Sequence, residues 1–346
     1  MLQKYYNGNK LLNLRDIDGN KPEIYLSVGN RSSGKTTYFN KLMVDWYKKC
    51  KIRKFALLYR YAYELPDCAG KFFNDIQGLF FQTDIMTSVS KARGTYFELL
   101  LNDVCCGYAI AINNSEQIKK YSHFFNDIDV ILFDEFQPET NNYCPKEITK
   151  FMSIHTSIAR GQGKSVRYVP VIMISNAVTM INPYYTEFGI STRLKEDTKY
   201  LRGHGFVLEQ SYNPYAAQAQ KESGFNRAFS ENKYLQSSTE NVYLNDSQSF
   251  IENIKGKNKY LCTIRYNNMD YGIREYPEIG VVYCSPNADN SYPIKLSVTT
   301  EDHNINYVML KHNKEIINVF RYYFENGCFR FKDLRSKEAV MSALSY

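Results

Sequence analysis

Residues 23–37 read EIYLSVGNRSSGKTT. Ile24, Leu26 and Val28 alternate as in a buried strand, and the strand runs into Gly29-Asn30-Arg31-Ser32-Ser33-Gly34-Lys35-Thr36, a complete G-x-x-x-x-G-K-[ST] phosphate loop. Beyond it, Thr37 to Cys50 place Phe39, Leu42, Met43 and Trp46 on one helical face. Strand, loop and helix are the context the motif requires. Gly29 and Gly34 let the backbone turn and approach a polyphosphate, while successive N–H groups and the helix N-terminus face the anion. Lys35 reaches the β- and γ-phosphates and the Thr36 hydroxyl ligates Mg²⁺. The expected nucleotide site is therefore Gly29, Asn30, Arg31, Ser32, Ser33, Gly34, Lys35, Thr36 and Thr37, with ATP and Mg²⁺ as its ligands.

About a hundred residues further on, Asp129-Val-Ile-Leu-Phe-Asp134-Glu135 is an apolar strand that ends in two carboxylates. After a full phosphate loop this is a Walker B element. Asp134 holds the metal through water, and Glu135 is placed to polarise the water that attacks the γ-phosphate. The spacing leaves room for an extra strand between the two motifs, as in the additional-strand, catalytic-glutamate division of P-loop NTPases. A third strand, Val169 to Ile174, ends in Ser175-Asn176, and Asn176 is the expected sensor of the γ-phosphate or attacking water.

Between these motifs, Phe55 to Tyr59 reads as a buried parallel strand with Arg60 at its carboxyl end, either a phosphate or DNA contact or a surface arginine. Residues 64–80 read as a helix, and Tyr96–Leu101 and Tyr108–Ile112 as short strands. Glu147 to Arg160 reads as a helix that opens into the basic, glycine-loosened segment Arg160-Gly-Gln-Gly-Lys164-Ser-Val-Arg167. Such a loop inserts an arginine into a neighbouring active site, touches a phosphate backbone, or is a solvated helix end.

Composition narrows the class. The chain has 346 residues, 44% of them hydrophobic and 23% charged, in the range of globular proteins. No apolar run approaches the roughly 20 residues that span a bilayer, and the N-terminus lacks a signal-peptide h-region, so a cytoplasmic protein is expected. Eight Cys without a C-x-x-C pair fit reduced thiols. Residues 1–203 hold 27 Lys and Arg against 20 Asp and Glu, which leaves 16 against 16 for the rest. The whole excess of +7 thus lies in the nucleotide-binding part, as suits a polyanionic partner.

The domain expectation is a motor domain over 1–203, a Gln/Ser/Asn-rich linker subdomain over 204–240, and a C-terminal domain over 241–346. The last shows Lys259–Tyr266, Tyr271–Tyr276 and Gly280–Cys284 as an antiparallel meander, turning at Asn267-Asn268, with helices over 313–327 and 332–344. The polar residues 1–22 read as an arm packed beside the nucleotide.

The phosphate loop, Val130–Glu135 continued by Phe136, and above all Ser175-Asn-Ala-Val178 followed by Asn182-Pro183-Tyr184 resemble the DNA-packaging (encapsidation) ATPases of small protein-primed podophages, the phi-twenty-nine-like group. The resemblance covers nearly the whole chain. It implies an α/β fold with a central mostly parallel sheet, and a smaller α+β domain similar to an RNase H-type nuclease that has lost its active site. It implies a terminase-like motor, a pentameric ring on the portal of a bacteriophage prohead in the host cytoplasm, driving viral double-stranded DNA inward, in some relatives with a structural RNA. It implies an arginine acting in trans, for which Arg160 is the first candidate and Arg167 the second. Lys119, Lys120, Lys164 and Arg167 are the expected DNA contacts.

A two-metal nuclease needs converging carboxylates, usually beginning in the first strand of its sheet, and Tyr260–Tyr266 contains none. Asp270 and Glu275 come after it, so no nuclease activity is expected. Two other readings share the core: a helicase acting on single strands, and a nucleotide-gated scaffold with little turnover, which the intact Asp134-Glu135 pair disfavours.

Overall fold

A computed structural model describes residues 5–140, 142–160, 166–180, 182–190, 193–194, 198–228 and 250–344. The chain divides into two compact units, Met1–Asn245 and Asp246–Tyr346.

The first unit is built on a nine-stranded sheet. Its strands are β1 (Ile24–Gly29), β2 (Lys54–Tyr59), β3 (Met86–Lys91), β4 (Tyr96–Leu101), β5 (Val104–Ala111), β6 (Ile128–Asp134), β7 (Val171–Asn176), β8 (Tyr200–Gly203) and β9 (Phe206–Ser211). They lie in the order β3-β4-β5-β2-β6-β7-β1-β9-β8. The six strands from β5 to β9 run parallel, and only the edge strands β3, β4 and β8 pair antiparallel. Parallel strands covered on both faces need apolar side chains throughout, and β1, β2, β6 and β7 are buried at nearly every position.

The helices of this unit include α1 (Asn9–Asn13), α2 (Lys35–Lys48), α3 (Leu65–Phe80), α4 (Ser115–Lys120), α5 (Glu147–Ile158), α6 (Pro183–Glu187) and α7 (Pro214–Glu222). Phe39, Met43 and Val44 of α2, with Leu65, Ala69, Phe72, Phe73 and Ile76 of α3, close over Tyr25, Phe55, Leu57, Val130 and Leu132 in one continuous core. Because β6 and β7 separate β1 from β2, the motif strands β1 and β6 flank β7, and their carboxyl ends converge on one edge.

The composition-based linker is corrected at its start. Phe206–Ser211, within the stretch 204–240, is a strand of the main sheet, paired with β1 from Ile24–Phe206 to Gly29–Ser211. Residues 229–240 of that stretch lie outside the described residues.

The second unit carries a six-stranded sheet of β10 (Lys259–Tyr266), β11 (Met269–Tyr276), β12 (Val281–Ser285), β13 (Lys295–Ser297), β14 (Val308–Met309) and β15 (Phe329–Phe331), ordered β14-β13-β10-β11-β12-β15. β10 to β12 form an antiparallel meander, whereas β13 runs parallel to β10 and β14 parallel to β13. The five strands β12-β11-β10-β13-β14 have the order and polarity of an RNase H-like sheet, to which β15 is added in parallel beside β12. The turn after β10 places Asn267 and Asn268 at φ 50° and 60°, the left-handed pair that a tight hairpin demands, and Asp302 accepts both of their N–H groups. Helices Lys314–Glu325 and Leu334–Leu344 bury Ile317, Phe320, Ala339 and Val340 against this sheet.

Candidate nucleotide and catalytic site

The end of β1 and the start of α2 shape the phosphate loop. Gly34 takes φ 91° and Ser32 takes φ 58°, so successive N–H groups turn toward one concavity. That concavity, a cavity of about 230 Å³, is lined by Ser32, Ser33, Gly34, Lys35, Thr36 and Thr37 from the loop, Asp134 and Glu135 from β6, and Ile174, Ser175 and Asn176 from β7. The structure thus brings together most of the expected nucleotide residues, the carboxylate pair and Asn176. Asn176 arrives because β7 pairs with β1 in the register Gly29–Asn176.

Lys35 is buried, and its Nζ donates to the Asn30 carbonyl at 2.9 Å and to Ser33 Oγ at 3.0 Å. Burial pushes its amine down to about 8, against the pull of Asp134 and Glu209. Thr36 Oγ1 lies 3.5 Å from Asp134 Oδ1, which gives two hard oxygen donors side by side, a donor set that fits Mg²⁺. Burial, with the neighbouring Glu135 charge, pushes the Asp134 carboxyl up to about 6. Glu135 sits at φ 54° with its N–H on Asp134 Oδ1 at 2.9 Å, and its side chain is exposed to the cavity mouth.

Three expected loop residues play other parts. Gly29 does not line the cavity: a Cβ there would meet Ser211 Oγ at 2.2 Å and the Ser211 carbonyl at 2.4 Å, so β9 requires the glycine. Asn30 is buried, and its amide donates to the Asn213 carbonyl at 3.0 Å while its Oδ1 accepts the Asn213 N–H at 2.8 Å. Arg31 points outward and pairs with Glu139 at 2.8 Å.

Arg60 is neither a phosphate contact nor a surface residue. Buried at the end of β2, its Nε lies 2.9 Å from Glu147 Oε2, its Nη1 donates to the Glu135 carbonyl at 3.2 Å and its Nη2 to the Phe136 carbonyl at 2.9 Å. Glu147 also accepts from Tyr184 Oη and from the Cys144 N–H, both at 2.8 Å. Sequence reasoning gave this cluster no role, because its members lie on four separate segments. Ser175 joins Asn176 at the tip of β7. Its hydroxyl is buried at the cavity and, among the described residues, meets no hydrogen-bond partner.

The two candidate trans arginines behave differently. Arg160 is exposed just beyond α5. Arg167 is tied down, donating to the Asn126 and Ile128 carbonyls and lying 2.9 Å from Asp129 Oδ1. Asp129 is near the opposite end of β6 from Asp134, roughly 17 Å away at the usual rise per residue. As a DNA contact Arg167 is likewise committed elsewhere. Lys119 and Lys120 are exposed on α4, Lys119 paired with Glu116 at 2.9 Å, and Lys164 lies outside the described residues.

In the second unit, Asp270 is held by Arg265 at 3.2 Å and by Tyr307 Oη at 2.7 Å, and Glu275 accepts from Tyr323 Oη at 3.0 Å. Among the described residues no three His, Cys, Asp or Glu side chains are grouped to hold a metal ion, and no helix is long and apolar enough to cross a membrane.

A parallel sheet with the phosphate loop on β1, the paired carboxylates on β6 and a polar-tipped strand between them defines a P-loop NTPase of the catalytic-glutamate division. Residues 2–344 match the family model of the podovirus DNA encapsidation protein (Gp16), and the chain belongs to that family. It is an ATPase of viral DNA packaging. The DNA packaging protein of Bacillus phage phi29 is 25% identical over 331 residues, which cover 94% of this chain and 93% of that protein. That of Bacillus phage B103 is 24% identical over 323 residues, covering 92% and 94%. The fold matches a chain of the bacteriophage Phi-29 genome packaging motor assembly at a TM-score of 0.70, with 22% identity and coverage of 99% and 100%. A chain of the Phi-28 gp11 DNA packaging motor matches at 0.59, with 15% identity, over 99% and 96%.

Proposed function

We propose that this chain hydrolyses MgATP at the β1–β6–β7 edge and uses the energy to drive double-stranded DNA into a prohead, as a homomeric, pentameric ring on the portal vertex in the host cytoplasm. The observation that carries the reading is the meeting of Thr36 and Asp134, 98 positions apart in the chain, at one cavity that also holds Lys35, Glu135 and Asn176.

The roles follow from position. Lys35 and the loop N–H groups bind the β- and γ-phosphates; nucleotide arrival replaces the Asn30 and Ser33 acceptors of the lysine with phosphate oxygens. Thr36 and Asp134 hold Mg²⁺, which when bound spreads the charge that develops on the phosphate oxygens. Glu135 orients the attacking water and takes its proton, and its main chain is steadied by Arg60. Asn176 and Ser175 face the terminal phosphate and register its loss. Arg160 lies beyond the end of α5, about 18 Å of helix from Glu147 beside the catalytic strand, and is assigned to the neighbouring subunit's site, where an added cation is worth ~10³-fold or more in related chemistry.

The DNA grip is directed to phosphates and indifferent to sequence, since a whole genome passes through. Lys119, Lys120 and Lys164 are assigned to it. Residues 1–245 form the motor, and residues 246–346 serve docking or DNA gripping without nuclease activity. A structural RNA that joins the ring to the portal is a further proposed partner. A DNase-protection assay on purified proheads tests the reading: wild-type protein with ATP protects the genome, Lys35→Ala and Glu135→Gln do not, and protection by either variant would refute it.

A further inference from the structure

The loop residues Ser32–Thr37 lie between the carboxylates of β6 on one side and β9 on the other, because the sheet order is β6-β7-β1-β9. A triphosphate whose terminal phosphate meets Asp134, Glu135 and Asn176 must therefore point its nucleoside toward the β9 flank. The chain leaves β9 at Ser211, level with Gly29, and turns through Asn213 into α7.

Two segments remote in sequence are fastened to the loop on that flank. From the N-terminal arm, the Tyr6 N–H donates to the Ser33 carbonyl at 3.2 Å. Its hydroxyl donates to Glu209 at 2.7 Å and accepts from Ser27 at 2.8 Å. From the other side, Asn213 Nδ2 donates to the same Ser33 carbonyl at 3.4 Å, beside its reciprocal pair with Asn30, and Gln220 donates to Ser32 Oγ at 2.8 Å. Two of these anchors have an exposed tyrosine beside them: Tyr5, 69% exposed, adjoins Tyr6, and Tyr215, 43% exposed, follows Asn213 by two residues in the first turn of α7. Large aromatic side chains on segments this firmly fixed present flat apolar faces at little further entropy cost.

We propose that the nucleobase is received between the N-terminal arm and the first turn of α7, with Tyr5 and Tyr215 as its aromatic walls. The inference rests on the phosphate loop being a nucleoside triphosphate site. Recognition by stacking holds any base, purines more strongly than pyrimidines, because every base offers a π-face and purines offer the larger one.

Calorimetric titration of full-length protein with MgATP and with magnesium tripolyphosphate, which lacks a base, tests this. Wild type should bind ATP at least tenfold more tightly than tripolyphosphate, within the roughly 5- to 150-fold range that one stacked base supplies. Tyr5→Ala and Tyr215→Ala should each weaken ATP several-fold and raise KM, with kcat and tripolyphosphate affinity unchanged, and Phe at either position should restore wild-type behaviour. Unchanged ATP affinity in the double alanine variant overturns the subsite, as does equal loss of both ligands, which would mean that the tyrosines only support the loop. Failure of wild type to bind tripolyphosphate at all would instead refute the phosphate-loop reading beneath it.

Discussion

Arg60 Nη2 donates to the Phe136 carbonyl at 2.9 Å, so the guanidinium that closes β2 is also the strut beneath the turn that follows β6. The neighbouring Glu135 is held at φ 54°, a left-handed backbone that a non-glycine residue adopts only when its surroundings impose it. Arg60 and its counter-charge Glu147 supply that constraint from the interior, facing the rings of Phe133 and Tyr143.

Breaking this pair leaves a buried charge without a partner. Glu147→Gln or Arg60→Gln should each cost about 3–5 kcal/mol of stability. Replacing both with Met should cost less than either single change, since no charge is then stranded. Denaturant midpoints of the three variants decide it; single variants as stable as wild type would contradict the arrangement.

Lys35 carries a stability penalty in the metal-free, nucleotide-free protein, because its folded pKa of about 8 lies below the ordinary 10.5. Below pH 8 the amine is charged in both states and the penalty is complete. Between 8 and 10.5 the unfolded chain binds the extra proton, so folded stability rises with pH, and above 10.5 the penalty is gone. In EDTA at pH 7, Lys35→Met should therefore melt higher than wild type, by up to ~3 kcal/mol, while losing all turnover. The gap should shrink as pH rises from 8 to 10.5; a lower melting temperature at pH 7 would refute the burial argument.

Gly29→Ala should destabilise the first unit through β9. The added Cβ collides with both the hydroxyl and the carbonyl of Ser211, and only the hydroxyl can be removed by substitution. Ser211→Gly should therefore fail to rescue Gly29→Ala in a melting experiment; full rescue would place the clash in the side chain alone.

Arg160→Ala and Arg167→Ala should separate function from folding. Loss of Arg167 frees the Asn126 and Ile128 carbonyls and weakens the partnership with Asp129, so the protein should melt lower. Loss of Arg160 should leave melting unchanged and suppress turnover, and mixing with active-site Lys35→Ala subunits should restore part of it. An absence of any restoration would count against action in trans.

The motif strands were readable because parallel, doubly covered strands are apolar from end to end, and β1 and β6 finish in residues whose chemistry is unmistakable. The C-terminal meander was legible for a related reason, with Asn267-Asn268 marking its turn. β9 escaped because it ends Glu209-Gln210-Ser211, polar residues that look like a linker. Glu209 and Gln210 are buried here because Tyr6 and Tyr200 donate to Glu209 and Gln210 Nε2 donates to the Thr198 carbonyl, while the half-buried Ser211 packs on Gly29. Arg60 was unreadable because its counter-charge lies 87 positions away. Gly29 was assigned to phosphate approach, whereas the backbone it admits belongs to a strand some 180 residues later.

Steady-state ATP turnover by the full-length protein, with and without long double-stranded DNA, tests the motor most directly. Turnover stimulated by duplex DNA, and abolished by both Lys35→Ala and Glu135→Gln, is the predicted result. Turnover that responds only to single strands, or that survives Glu135→Gln, would contradict it.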